Sequence, residues 1–158
     1  MNDSLIRVYT DGGNRNTGNK LGQHVHEHDL SAWAYIIEYE KTQLVSSGFK
    51  FGATNNAMEL MAVGSAFRKI TSTKELKDQK IELISDSHYV LDPMEKGWLD
   101  KWMKTKKERP NLAMWQTLYP MYLELKPYLI FHWVKGHKNT AGNLRVDELL
   151  NQEMDKHK

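Results

Sequence analysis

Cysteine is absent from the 158 residues. That excludes disulfides and thiolate metal sites, and leaves oxygen and imidazole as ligands for any cation. Long apolar runs are missing too. None approaches the roughly 18 residues that span a bilayer, and residues 1–7 lack the charged-then-apolar layout of a signal peptide. A cytoplasmic protein without membrane contact is expected. Charge of one sign is also scarce: 22 Lys and Arg stand against 20 Asp and Glu, for a formal net charge of +2. The overall balance therefore does not announce a nucleic-acid binder. Repeats, low-complexity segments and linkers are lacking, so the length fits one domain, residues 1–158, with a core that needs no staple. No oligomerisation stripe stands out, and a monomer is expected.

What is present is unevenly placed. Residues 96–109 hold Lys96, Lys101, Lys104, Lys106, Lys107 and Arg109 against Asp100 and Glu108, a local excess of positive charge. Residues 6–10 are β-prone and run into Asp11-Gly12-Gly13, which reads as a strand entering a turn. Residues 14–30, polar and rich in Gly and His, read as a loop; His24, His26 and His28 alternate in it with no scaffold that would hold them as a metal site. Strands are read at 32–40 and 43–51. Residues 56–70 then switch to helical spacing, with Met58, Met61, Ala62, Ala66 and Ile70 on one side. A strand at 81–84, helical segments at 87–104 and 112–125, a strand at 129–134 and a helix at 144–154 complete the chain. The order β-β-β-α-β-α-α-β-α implies an α/β fold, a mixed sheet with helices packed on it.

Four acidic residues occupy particular places in that order. Asp11 ends the first strand, Glu59 lies in the first turn of the first helix, Asp86 ends the fourth strand, and Asp147 lies near the start of the last helix. If the first and fourth strands are neighbours, Asp11 and Asp86 emerge side by side at their C-terminal ends, where open α/β sheets place their ligand sites. Clustered carboxylates repel one another and persist where cations compensate them. A hard oxygen set favours Mg²⁺ or Mn²⁺. Each residue also has a bland alternative. Asp11-Gly12 is an ordinary turn pair, and Asn56 with Glu59 fits a capping box. Asp86 and its serine neighbours are good N-caps, and Asp147 suits a helix N-terminal dipole. Spacing alone leaves the two readings open.

The segments around these residues carry more. Tyr9-Thr10-Asp11-Gly12, Thr54-Asn55-Asn56-Ala57-Met58-Glu59-Leu60-Met61-Ala62, Ser85-Asp86-Ser87-His88-Tyr89-Val90, Trp133-Val134-Lys135-Gly136-His137 and Asn143-Leu144-Arg145-Val146-Asp147-Glu148-Leu149 resemble, in order, the ribonuclease H type I family. The resemblance runs from about residue 6 to residue 150. It implies a five-stranded mixed β-sheet flanked by α-helices, and an endonuclease that hydrolyses the RNA strand of an RNA–DNA hybrid to 5′-phosphate and 3′-hydroxyl ends. It also implies two Mg²⁺ ions, or Mn²⁺ in their place, held by Asp11, Glu59, Asp86 and Asp147, with Asp11 between them. His137 takes the family's role of moving a proton or aiding product release.

The same resemblance implies a hybrid-binding surface. Gly12, Asn55 and His88 face the duplex, and His88 is a departure, since many relatives carry Gln there. Asn14, Asn16, Thr54, Asn55 and Asn56 suit a phosphate pocket at a helix N-terminus. Asn143 and Arg145 belong to the last motif. Residues 96–109 resemble the basic protrusion that grips the DNA strand, with Lys104, Lys106 and Lys107 supplying salt-dependent affinity. Trp98 is the tryptophan suited to sugar contact, while Trp102 and Trp115 read as core. The chain begins almost at its first strand, so no N-terminal hybrid-binding domain is expected and processivity should be low. Three rivals stand beside this reading. They are a retroviral-type module, another nuclease on the same fold, and a hybrid-binding module without catalysis; the last would lack a carboxylate, and all four are present.

Overall fold

The computed structural model describes residues 5–15, 29–105, 108–135 and 141–157, with backbone alone for Arg15, Ala141 and Asn143. Five strands, β1 (Leu5–Arg15), β2 (Leu30–Tyr39), β3 (Thr42–Phe51), β4 (Lys80–Ser85) and β5 (Leu129–Trp133), form one sheet in the order β3-β2-β1-β4-β5. The first three make an antiparallel meander; β4 runs parallel to β1, and β5 parallel to β4. Five helices accompany them: α1 (Asn55–Thr71), α2 (His88–Glu95), α3 (Trp98–Thr105), α4 (Leu112–Leu125) and α5 (Ala141–Asp155), with short 3₁₀ turns at Lys74–Leu76 and Lys126–Tyr128. The mixed sheet flanked by helices is the architecture implied by the sequence.

Alternation along the strands divides the core into two layers. Ile6, Val8, Tyr35 and Ile37 turn one way, onto Leu60, Val63 and Phe67 of α1 and Trp115 and Leu118 of α4. Tyr9, Ala32, Ala34 and Ile36 turn the other way, onto Val146, Leu150 and Met154 of α5. Trp115 is fully buried, and Trp102 packs edge-on against it at 5.6 Å, so both tryptophans belong to the core side as expected. The far end of α5 is fastened to β3. Ser47 donates a 2.7 Å hydrogen bond to Glu153, His157 lies 3.0 Å from the other Glu153 oxygen, and the His157 ring stacks on Phe49.

Three departures from the sequence reading exceed the one- or two-residue shifts at other element ends. β1 does not turn at Asp11-Gly12-Gly13: it continues to Arg15, because β2 pairs with it without interruption from Ile6↔Tyr39 to Arg15↔Leu30. A ten-pair ladder outweighs the turn preference of an Asp-Gly-Gly run. The helical segment read across 87–104 is two helices. Gly97, at φ +81, takes a left-handed conformation between α2 and α3, and apolar spacing continues on both sides of the break. Finally, α5 begins at Ala141, earlier than residue 144, so Asp147 lies in its second turn.

Candidate active site

The site begins where β1 outruns β4. Their parallel register ends at Tyr9↔Ile84. Two residues further on stand Asp11, still paired to Ala34 of β2, and Asp86, in the short connection to α2. Glu59 comes from α1, which crosses directly over this point. Gly12 is what allows the crossing. A Cβ there would fall inside the backbone of Met58 and Glu59, so helix and strand touch main chain to main chain.

Thr54 is the N-cap of α1, its hydroxyl accepting from the Ala57 amide at 3.1 Å. This corrects the capping box read at Asn56 and Glu59. With the helix starting at Asn55, Glu59 lies in the second turn and is free of the cap. Asn55 is occupied differently: its Oδ1 accepts from the Asn14 amide at 2.8 Å, and the Asn14 side-chain amide donates to the Ala53 carbonyl at 3.1 Å. The end of β1 is thus tied to the start of α1. Thr54→Ala is expected to lower stability by about 1 kcal/mol, as loss of an N-cap does, measured by denaturant unfolding; an unchanged midpoint would mean Asn55 or Asn56 takes over the cap.

Asp11, Glu59 and Asp86 bring one oxygen each to within 4.8 Å of one another. Asp11 Oδ2 and Glu59 Oε1 are buried, and neither meets a hydrogen-bond donor among the described residues. The Gly12 amide donates to the other Asp11 oxygen at 2.9 Å. Burial pushes the Asp11 carboxyl up to about 8, the charges of Asp86 and Asp147 adding to the effect. Burial likewise holds Glu59 well above the usual carboxylate range, with Asp11 and Asp86 contributing. Asp147, on α5, flanks the three-residue cluster from the Asp11 side, its charge felt at Asp11. The first turn of α5 is placed there by Tyr9, whose ring packs against Gly142. Buried carboxylate oxygens without donors are costly unless a proton or a cation meets them. The donor set, all hard oxygen, fits a divalent cation.

The surrounding residues divide between the cluster and the surface. His88 opens α2 beside Asp86, exposed and stacked on Trp133 at 4.5 Å. Trp133 in turn donates from Nε1 to the Asp86 carbonyl at 3.1 Å. Trp98 is exposed on α3, with Lys96 5.3 Å above its ring, while Arg109 covers Trp102 at 3.8 Å. Lys104 lies in the last turn of α3 and is exposed; Arg145 is exposed on α5, and Asn143 lies in its first turn. Asn56 is exposed in the first turn of α1. Asn16, Lys106, Lys107, His137 and the three loop histidines lie outside the described residues. Trp133 and Asp92 escaped the sequence reading as site residues. Asp92 had a signal: it stands one helical turn after His88, the spacing at which side chains meet.

Fold and cluster together define a mixed α/β protein with a carboxylate group, suited to a divalent cation, where the pairing of its central parallel strands ends. The family model described as RNase H matches residues 3–155. A protein of Chlorobaculum parvum named Ribonuclease H is 34% identical over 153 residues, 93% of either chain. Among solved structures, LC9-RNase H1, described as a type 1 RNase H with the type 2 active-site motif, superposes with a TM-score of 0.78 at 22% identity, over 100% of this chain and 75% of that one. LC11-RNase H1, solved in complex with an RNA/DNA hybrid, gives 0.70 at 24% identity, over 96% and 98%. The chain belongs to the ribonuclease H family, and its activity is that of an endoribonuclease.

Proposed function

We propose that this chain hydrolyses the RNA strand of RNA–DNA hybrids at the Asp11 cluster, leaving 5′-phosphate and 3′-hydroxyl ends. The observation that carries the reading is the group of Asp11, Glu59 and Asp86 where the pairing of β1 and β4 ends beneath α1, with buried Asp11 and Glu59 oxygens that no donor meets among the described residues. Asp11, Glu59, Asp86 and Asp147 would hold two divalent cations, Mg²⁺ or Mn²⁺. Such ions supply an activated water and charge stabilisation for the leaving oxygen.

The chain's own residues supply position. Asp11 stands centrally because β1 carries it beyond its partner β4, between α1 and the start of α2. Glu59 is set by the main-chain contact at Gly12, and Asp147 by the packing of α5 on Tyr9. His88 and Trp133 are exposed beside Asp86, and Trp98 and Lys104 are exposed on α3, chemistry suited to sugar, base-plane and phosphate contact. Asn14, Thr54, Asn55 and Asn56 gather at the N-terminus of α1, where a phosphate is favoured, and Asn16, Lys106, Lys107, Asn143 and Arg145 are proposed to extend this surface. His137 is proposed to move a proton during turnover. His137→Ala should slow cleavage while leaving part of it; complete loss, or no change, counts against the role.

The test is cleavage of a labelled RNA–DNA hybrid beside single-stranded RNA, double-stranded RNA and double-stranded DNA, with Mg²⁺ and with EDTA. Metal-dependent cutting of the hybrid's RNA strand alone is expected, with 5′-phosphate on the downstream product. A folded protein that binds the hybrid and cuts nothing with either Mg²⁺ or Mn²⁺ would return the chain to the binding-module reading.

A further inference from the structure

The acidic cluster has a neighbour that the carboxylates do not explain. His88 follows Asp86 by two residues, and its imidazole is held at one face and at one edge. Its ring lies on the Trp133 indole at 4.5 Å with an interplanar angle of 17°. Trp133 is pinned in turn by its Nε1 hydrogen bond to the Asp86 carbonyl at 3.1 Å. At the ring edge, His88 Nδ1 lies 3.3 Å from Asp92 Oδ1, one helical turn along α2, and the other Asp92 oxygen lies 3.5 Å from the Lys96 ammonium. His88 and Trp133 are both open to solvent, with the His88 side chain 59% exposed. An exposed imidazole gains little stability from being held so closely, which points to a recognition task.

The identity of the Nδ1 partner decides what the free nitrogen can do. An ionised carboxylate only accepts hydrogen bonds, so the contact forms only with the proton on Nδ1. In the neutral ring Nε2 then carries a lone pair and no hydrogen. Among the described residues Nε2 has no hydrogen-bond partner, and the side chain is 59% exposed. An acceptor at that place discriminates in one direction. A ribose 2′-hydroxyl has a proton to give it, whereas a deoxyribose has nothing. The opposite tautomer would present a donor, which phosphate and base oxygens could satisfy as readily.

We propose that Asp92 is a positioning residue that, with Trp133, fixes His88 as a hydrogen-bond acceptor for a single ribose 2′-hydroxyl of the RNA strand. The proposal rests on the hybrid-cleaving reading for its substrate, while the state of the imidazole can be measured without any substrate.

Two measurements test it. The first is long-range ¹H–¹⁵N spectroscopy of the neutral histidines, with His88 assigned from the spectrum of His88→Ala. The wild-type signal should show a protonated Nδ1 and a bare Nε2, and Asp92→Ala should move it toward the Nε2–H form that an unconstrained imidazole favours. A wild-type His88 in the Nε2–H form overturns the proposal, whether or not the protein cleaves hybrids. The second is a scan of hybrids carrying one 2′-deoxy or one 2′-fluoro residue at successive RNA positions. At one position both substitutions should slow wild-type cleavage about tenfold, the weight of a single hydrogen bond, because fluorine has no proton to donate. In Asp92→Ala that penalty should shrink to about twofold, with the penalties elsewhere unchanged. A fluoro substrate cut like the all-ribose one, or a penalty untouched by Asp92→Ala, refutes the assignment. Failure of the wild-type protein to cut any hybrid would sink the functional reading instead, and the spectrum would then decide the role of Asp92 alone.

Discussion

Asp11→Asn is expected to remove hybrid cleavage by at least about a thousand-fold, a loss of the size seen when a central catalytic group is deleted, while making the cation-free protein more stable. The two effects have one cause. Asp11 is the most surrounded of the four carboxylates. It is buried, it feels the charges of Asp86 and Asp147, and one of its oxygens meets no donor among the described residues. Asparagine keeps the shape and removes the charge. The neighbouring carboxylates lose their repulsion, and a cation loses the oxygen at the centre of the group. Cation-free Asp11→Asn should melt about 5 °C above wild type at pH 8, a shift equivalent to roughly 2 kcal/mol for a domain of this size. Wild-type turnover in the variant with Mg²⁺ would show that Asp11 is not the centre.

The pH dependence of the cation-free protein follows from the same group. The carboxyl titrates near 3.8 in an ordinary setting and near 8 in the fold. Below about pH 4 both folded and unfolded chains carry the proton, and Asp11 costs nothing. Between the two values the unfolded chain ionises freely while the fold retains the proton, so stability falls as pH rises and levels off above about 8. Glu59, raised in the same direction, steepens the loss. A divalent cation binds the deprotonated cluster and reverses the penalty. In EDTA the melting temperature should therefore decline from pH 5 to pH 8, and the rise produced by Mg²⁺ should be larger at pH 8. An Mg²⁺ increment that is equal at both values would mean the cation binds elsewhere.

Much of this site was legible before the structure, for reasons that differ by residue. Asp11, Glu59, Asp86 and Asp147 sit in motifs long enough to be read together, and each falls near the end or start of an element that local patterns reveal. Boundaries were less legible where two local preferences competed. Asp11-Gly12-Gly13 reads as a turn because nothing local reports that β2 will pair beside it. Thr54 and Asn56 are both competent N-caps, and the choice falls on Thr54 while Asn55 is committed to the Asn14 amide. The break at Gly97 is invisible to periodicity, because α2 and α3 each continue an apolar spacing. The pairing of His88 with Trp133 joins residues 45 positions apart, across α2 and β5, and no local pattern encodes it.

Gly12→Ala should do more damage than its single methyl group suggests. The added Cβ would occupy the place of the Met58 carbonyl carbon and the Glu59 amide. Neither is the movable end of a side chain, so the whole first half of α1 must withdraw from β1. That half is anchored on both sides, by the Thr54 cap with the Asn14–Asn55 tie and by Leu60 and Val63 in the core. A stability loss of about 3 kcal/mol is expected, the upper end of the range for overpacking a filled interior. The kinetic effect should exceed what partial unfolding explains. Glu59 rides on the displaced segment, and displacement of a positioned group by about 1 Å can cost a hundred-fold in rate. Cleavage in Mg²⁺, measured well below the melting transition, should fall about a hundred-fold, with hybrid affinity much less affected. If Gly12→Ala instead melts like wild type and cuts like wild type, α1 does not rest on β1, and the close approach that places Glu59 beside Asp11 is wrong.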